Sequence, residues 1–333
     1  MAKIFISCRI FPEEVERLRE AGHSVEVYPG DVIPREDLLR GVADADVLIC
    51  PLSTKVDGDL FSSAPRLKIV ANLGVGVDNV DLAAANARKV VVLNTPGVLT
   101  ETVADLAFAL MLAVARRVVE LDKRLRAGGF PGWTFMPPYL GRDVWGAALG
   151  IVGLGRIGSA VARRARCFRM RILYYSRARK PELERELGCR YMKLEELLAE
   201  SDFVVLCTPL TPETHHMIGP RELSLMKRTA YLINIARGPV VDEGALVEAL
   251  REGKIAGAAL DVFEREPEVH PGLLELPNVV LTPHIGSATV ATRRRMASIA
   301  VEGVLVALEG RKPENIVNPE IWPGRTVTQI TET

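Results

Sequence analysis

Short apolar runs rich in β-branched residues recur along this chain, each followed by a polar, helix-patterned stretch that opens on a turn or capping residue. The first series is Lys3–Ser7, Ser24–Tyr28, Asp46–Cys50, Leu67–Ala71 and Val90–Leu93. Such alternation leaves little topological choice: the strands form a parallel sheet, and the connecting helices cover both of its faces. A second series follows at Ala148–Val152, Arg171–Tyr175, Arg190–Met192, Phe203–Cys207, Ala230–Ile233, Gly257–Asp261 and Val279–Thr282. At 333 residues the chain is long enough for two such units, each with its own core.

Between the two series, from Thr100, lies a long helical segment with Glu101 in its first turn and apolar spacing that continues through Val118, Leu121 and Leu125. The Gly/Pro/aromatic stretch from Gly128 to Tyr139 is incompatible with regular structure and predicts an arm, lid or linker. Beyond Pro283 one more long helix is expected, roughly Thr289 to Leu308, followed by a polar tail. That helix is most simply placed back on the first unit. The expected fold is therefore α/β, two Rossmann-like, doubly wound parallel-sheet domains with the active site in the cleft between them. Residues 1–99 plus 287–333 form a discontinuous substrate-binding domain, and residues 100–286 a dinucleotide-binding domain.

The 42 basic residues balance 42 acidic ones, which gives no support to nucleic-acid or anionic-membrane partners. The most apolar stretch, Val103 to Ala115, is interrupted by Asp105 and followed by Arg116 and Arg117, too short to span a bilayer. The N-terminus turns polar within a few residues and has no signal-peptide pattern, so a cytoplasmic location is expected. The five cysteines, Cys8, Cys50, Cys167, Cys189 and Cys207, are scattered and suit reduced core thiols better than disulfides or zinc. His215 and His216 are adjacent, lacking the spacing of two ligands on one helix face, and no metal is expected. His23 and His270 read as loop residues, Asp78 and Asp81 as caps of the helix after the Gly76 turn, and Glu101, Asp105 and Arg293–Arg295 as solvated or interdomain charges.

Gly153-Leu154-Gly155-Arg156-Ile157-Gly158 is a G-x-G-x-x-G motif between the apolar strand Leu149-Gly150-Ile151-Val152 and the helical run Ser159–Phe168. In that context it marks a dinucleotide loop: the glycines permit a tight turn, close approach of backbone to pyrophosphate, and packing of helix on strand. Helix-end N–H groups then meet the phosphate charge. The next strand ends in Ser176-Arg177-Ala178-Arg179-Lys180, without the carboxylate that would bind the ribose 2′-hydroxyl of NAD. A hydroxyl flanked by cations suits a 2′-phosphate, so NADP(H) is the preferred cofactor, with NAD(H) possible.

Three strand ends of the second series deliver Arg237, Glu266 and His284. A guanidinium can grip the carboxylate of a keto acid, and a His can donate the proton that its carbonyl oxygen must gain as hydride arrives. A carboxylate beside the His would orient the ring and favour its charged form.

These stretches, together with Asn72–Asp81, Thr208–Thr214, Asn234–Asp242 and Thr282–Ser287, make the chain resemble, along essentially its whole length, the D-isomer-specific 2-hydroxyacid dehydrogenase family, and within it the glyoxylate/hydroxypyruvate reductases. The resemblance implies that Arg237 binds and polarises a small 2-keto or 2-hydroxy acid, His284 is the general acid/base, and Glu266 supports His284. It further implies that backbone near Leu52, Val75 and Gly76 holds the substrate carboxylate. The cofactor would be lined by Gly153, Leu154, Gly155, Arg156, Ile157 and Gly158, by Ser176, Arg177 and Ala178, by Cys207, Thr208, Pro209 and Thr214, by Ile235, Ala236 and Arg237, and by His284, Ile285 and Gly286, with Asp261 near the nicotinamide. A homodimer is implied as well. Alternatives on the same scaffold are a 3-phosphoglycerate or D-lactate dehydrogenase, or a nucleotide-sensing corepressor-like binding protein.

Overall fold

The computed structural model describes residues 1–324, and the polar tail expected after the last helix lies partly outside them. Among the described residues, twelve strands form two sheets in which every pairing is parallel. The chain divides into two compact units, residues 1–99 with the residues from Thr289 onward, and residues 100–288.

The first unit contains β1 (Lys3–Ile6), β2 (Ser24–Val27), β3 (Val47–Pro51), β4 (Ile69–Leu73) and β5 (Val91–Leu93) in the order β2-β1-β3-β4-β5. Successive side chains of a strand point to opposite faces. Ile4, Ile6, Ile49 and Ile69 accordingly join one core with Ala300, Val301, Val304 and Ala307 of the helix Val290–Leu308. Phe5, Leu48, Val70 and Val92 join the other with Leu38, Leu60 and Phe61. The small residues on the last helix let it lie close against the sheet, which is what returns the C-terminal segment to this unit.

The free edge of β5 is closed by the chain that follows this helix. Val317 N–H donates to Val92 O at 2.8 Å, and the buried Asn318 amide accepts from Val92 N–H at 2.8 Å while donating to Val90 O at 2.9 Å and Asn86 Oδ1 at 2.7 Å. An exposed strand edge with unpaired N–H and C=O groups is thereby avoided.

The second unit contains β6 (Ala148–Val152), β7 (Arg171–Tyr175), β8 (Arg190–Tyr191), β9 (Phe203–Leu206), β10 (Tyr231–Asn234), β11 (Gly257–Leu260) and β12 (Val279–Leu281) in the order β12-β11-β10-β9-β6-β7-β8. The order reverses between β6 and β9, the switch point at which ligands of doubly wound sheets bind.

Several expectations need correction. The helical segment from Thr100 is two helices, Thr100–Ala115 and Val118–Arg126. Arg117 between them takes φ 55°, and its guanidinium binds both Glu120 oxygens at 2.8 and 2.7 Å. The first helix buries eight residues and the second none, so the apolar spacing that ran through both served two different environments. The helix after the dinucleotide motif starts at Arg156, with the motif's last residues as its first turn. Glu101 and Asp105 are solvated as expected, and in addition they pair with that helix, Glu101 with Arg163 and with Arg164 at 2.7 Å, Asp105 with Arg164 at 2.6 Å. Cys167 is exposed, whereas Cys8, Cys50 and Cys189 are buried. His270 caps the short helix Pro271–Leu274 through Nδ1, and Asp81 caps Leu82–Ala87.

The Gly128–Tyr139 stretch carries no helix or strand and exposes Phe130, Trp133, Phe135 and Met136. Among the described residues no helix is long and apolar enough to cross a membrane.

Replacing Asn318 with Ala leaves Val92 N–H buried without an acceptor. This should lower the unfolding free energy by about 1–3 kcal/mol, read as a lower urea midpoint, while Asn86→Ala, which removes only one partner of the amide, should cost less.

Candidate active site

The dinucleotide motif sits at the carboxyl end of β6. Gly153 turns the chain with φ 101° and donates its N–H to Tyr175 O at 2.8 Å. A Cβ on Gly158 would stand 2.1 Å from Gly153 O, so only Gly lets the helix Arg156–Cys167 approach the strand this closely. Gly155 is the N-cap of that helix without side-chain capping, and a Cβ there would meet no described atom within 4 Å. A bare cradle opening on the positive end of a 12-residue helix fits a dinucleotide pyrophosphate.

In the loop after β7, two of the cations expected to flank the Ser176 hydroxyl are engaged within the protein. Arg179 binds both Glu184 oxygens at 2.9 and 2.8 Å, and Tyr174 OH donates to Glu184 at 2.7 Å. Those two donors, Arg179 foremost, hold the Glu184 carboxyl down at about 2. Lys180 Nζ donates to Leu154 O at 2.8 Å, tying this loop to the dinucleotide loop. Ser176 Oγ donates to Ala178 O at 2.7 Å. Arg177 and Arg179 are both exposed, and the Arg177 charge contributes to holding the Glu213 carboxyl, in the loop after β9, below its ordinary value.

In the loop after β9, Thr214 Oγ1 donates to Pro209 O at 2.7 Å and accepts from Thr211 N–H at 2.8 Å, so this buried hydroxyl shapes its own loop. Burial pushes the Cys207 thiol up to about 12, and the side chain stays neutral.

Asn234, at the end of β10, donates to Arg237 O at 2.9 Å and accepts from Ala236 N–H at 3.0 Å. This buried amide folds the turn that presents Arg237, a role the motif reading missed; the legible signal was a buried-type Asn closing an apolar strand. Ile235 and Ala236 are buried and Arg237 partly so.

Asp261, just after β11, is 2% exposed. Its Oδ1 accepts from Thr282 Oγ1 at 2.6 Å and Ile285 N–H at 2.8 Å, its Oδ2 from Gly286 N–H at 2.8 Å, and its carbonyl from His284 N–H at 2.8 Å. Burial raises its carboxyl, with those hydrogen bonds opposing. The side chain thus holds the 282–286 turn in which His284 takes the left-handed φ of 53°.

His284 Nδ1 lies 2.9 Å from Glu266 Oε2, and Glu266 Oε1 accepts from Phe263 N–H at 3.1 Å. Burial works against the charge on Glu266, but the bond to His284, its charge, the Phe263 N–H and the Arg237 charge outweigh it and hold the carboxyl below its ordinary value. An ionised Glu266 makes Nδ1 the donor, which leaves Nε2 for proton exchange.

In the first unit, Gly74 packs on the Leu52 side chain, and the loop behind it is pinned by its carbonyls: Asn94 Nδ2 donates to Val75 O at 2.8 Å and Asn72 Nδ2 to Gly76 O at 2.7 Å. Among the described residues the Val75 and Gly76 N–H groups have no protein acceptor. Beneath this loop Thr95 donates its N–H to Gly74 O, and its Oγ1 is buried without a partner.

The family profile described as "D-isomer specific 2-hydroxyacid dehydrogenase, NAD binding domain" matches residues 108–286. A glyoxylate reductase from Thermococcus gammatolerans is 54% identical over 323 residues, 96% of each chain. The chain belongs to the D-isomer-specific 2-hydroxyacid dehydrogenase family. As a member it is an oxidoreductase with a dinucleotide-binding second unit. Solved relatives agree in fold along almost the whole length. The TT0316 protein from Thermus thermophilus superposes with a TM-score of 0.89 at 48% identity, covering 95% of this chain and 99% of that one. An NADPH-dependent glyoxylate/hydroxypyruvate reductase from Sinorhizobium meliloti, in complex with NADP and malonate, superposes with a TM-score of 0.82 at 36% identity, covering 95% and 96%.

Because the Glu266 carboxyl is depressed, its stabilising contribution should be complete above the ordinary value of 4.5 and disappear as pH falls through its lower native value. Thermal midpoints of the wild type and Glu266→Gln, compared across that range, should therefore differ most at neutral pH and converge in acid.

Proposed function

We propose that this dehydrogenase reduces glyoxylate and hydroxypyruvate to the D-2-hydroxy acid, with NADPH preferred over NADH. The observation that carries the reading is the His284–Glu266 pair, with Nε2 left for substrate, on the sheet that bears the dinucleotide loop. Relatives at 54% and 52% identity are named glyoxylate reductase, which supports the glyoxylate part of the reading.

In this reading Arg237 binds the substrate and polarises its carbonyl, because a guanidinium can bond two oxygens at once. The paired N–H groups of Val75 and Gly76 receive the substrate carboxylate. The bound dinucleotide supplies the hydride. His284 donates a proton from Nε2 to the carbonyl oxygen as negative charge develops there, and Glu266, bonded to Nδ1, holds the ring in its orientation for transfer. In the oxidative direction the same Nε2, now neutral, accepts the hydroxyl proton.

NADPH preference rests on Arg177, exposed at the end of β7 in a turn that carries no carboxylate at the 2′-hydroxyl position. The S. meliloti relative, bound to NADP, is consistent with it. The exposed aromatic arm at Phe130–Met136 supports a homodimer, since apolar surface of this kind ordinarily meets another protein.

Steady-state oxidation of NADPH and NADH with glyoxylate, hydroxypyruvate, pyruvate and 3-phosphohydroxypyruvate tests the reading. NADPH with glyoxylate or hydroxypyruvate should give the highest kcat/KM, and turnover only with the phosphorylated acid or pyruvate would replace the substrate assignment. Arg237→Ala and His284→Ala should each lower kcat/KM by roughly 10²–10⁴-fold. Reduction takes the Nε2 proton from His284 and oxidation returns one to it, so His284→Asn should lower kcat/KM in both directions. Arg177→Ala should erase most of the NADPH preference while leaving kcat with NADH unchanged.

A further inference from the structure

Three loops at the carboxyl ends of β9, β10 and β11 meet at one side chain that the reaction scheme above does not use, Glu264. Its Oε1 lies 3.0 Å from His216 Nε2, in the loop after β9. Its Oε2 accepts from Glu243 N–H at 3.3 Å, the first residue of the helix Glu243–Arg251 that follows β10. The bond is returned, since Glu264 N–H donates to Glu243 Oε1 at 2.7 Å. Glu243 is 5% exposed, so this exchange is shielded from competing water. The positive end of the helix thus gathers three carboxyl groups, Asp242 on Ala245 N–H, Glu243 in the first turn and Glu264, and burial together with the Glu264 charge raises the Glu243 carboxyl above its ordinary value.

The backbone repeats the connection. His216 N–H donates to Pro239 O at 2.8 Å, two residues from Arg237. Between Arg237 and Pro239, a Cβ on Gly238 would stand 1.8 Å from the carbonyl carbon of Phe263, so the Arg237 turn and the Phe263–Glu266 loop touch through main chain alone. Phe263 N–H in turn fixes Glu266 Oε1, and Glu266 Oε2 is bonded to His284. Phe263 N–H is thus the contact through which this loop meets the Glu266 carboxylate, which in turn meets the imidazole.

We propose that Glu264, held between His216 and Glu243, is a positioning residue that sets Glu266 for its hydrogen bond to His284 and locks that loop against the Arg237 turn. The proposal rests on the roles given above to His284, Glu266 and Arg237. It predicts that loss of the Glu264 carboxylate acts on the rate through Glu266 and changes dinucleotide binding little, because neither His216 nor Glu243, its side-chain partners, is among the residues assigned to the cofactor.

The test compares Glu264→Ala and Glu264→Gln, each in the wild-type and Glu266→Gln backgrounds of the full chain. With glyoxylate and NADPH, Glu264→Ala should lower kcat by on the order of ten-fold and leave the NADPH Kd, from fluorescence titration, within about two-fold. Glu264→Gln keeps an acceptor for Glu243 N–H and should recover most of the rate. In the Glu266→Gln background the Ala substitution should cost under about two-fold, since the residue it positions is already altered. An equal fall in both backgrounds overturns the proposal, as does a weakened NADPH Kd accompanying the loss of rate.

Imidazole ¹⁵N resonances of His284 provide a readout independent of turnover. Glu264→Ala, or Glu264→Gln if the Ala variant does not fold, should move the Nδ1 signal toward its position in Glu266→Gln; an unmoved signal overturns the proposal. If the wild type reduces no 2-keto acid, the assigned function fails, while the resonance still decides whether Glu264 positions the pair.

Discussion

The buried carboxylate of Asp261 is the interaction on which the site depends. Placed immediately after β11, it accepts from the Thr282 hydroxyl and from the N–H groups of Ile285 and Gly286. A carboxylate taken out of water is unfavourable unless its oxygens are satisfied, and here the donors all come from one turn. The turn is thereby drawn onto the sheet, and His284 sits within it in a left-handed backbone conformation that is uncommon for a non-glycine residue. The imidazole is aimed by this main-chain geometry together with the bond from Nδ1 to Glu266. Asp261 therefore acts by holding protein, whatever its distance from a bound nicotinamide.

The same economy of polar groups recurs through the second unit. Asn234 folds the Arg237 turn, Thr214 folds the loop after β9, and the Tyr174–Glu184–Arg179 network fixes the loop after β7. Each is a side chain bonded to a loop at the carboxyl end of a parallel strand, where the ladder stops and backbone groups need new partners. Rigid loops follow, and rigid loops are what hold a guanidinium, an imidazole and a dinucleotide cradle in fixed relation. In the first unit the amides of Asn72 and Asn94 do likewise, engaging the carbonyls of Gly76 and Val75.

Much of this was legible in the chain as written. The alternation of apolar runs located all twelve strands, and the glycine motif located the dinucleotide loop, because both signals are local: strand burial sets the composition of a run, and a tight strand-to-helix turn demands glycine. Arg237, Glu266 and His284 were legible as strand-end residues, and the structure joins Glu266 to His284 directly. The break at Arg117 was not legible, since one residue at positive φ leaves the 3.6-residue spacing on either side intact. Nor was the commitment of Arg179 to Glu184 and of Lys180 to Leu154 O, which depends on how the helix after β7 returns to its strand. A run of cations looks the same in sequence whether its members are free or paired.

By itself the sequence determined the fold class, the order of the strands along the chain, the nucleotide loop and the chemical types available for catalysis, because each follows from short-range pattern and side-chain chemistry. Tertiary structure alone decided which polar groups are partners. The closing of β5 by Asn318, some 226 residues away from Val92, the hold of Asp261 on the His284 turn and the meeting of His216, Glu243 and Glu264 all join residues far apart in the chain. A hydrogen bond tolerates only a few tenths of an ångström in length. Such pairings exist only once the two cores have packed and fixed where each strand ends.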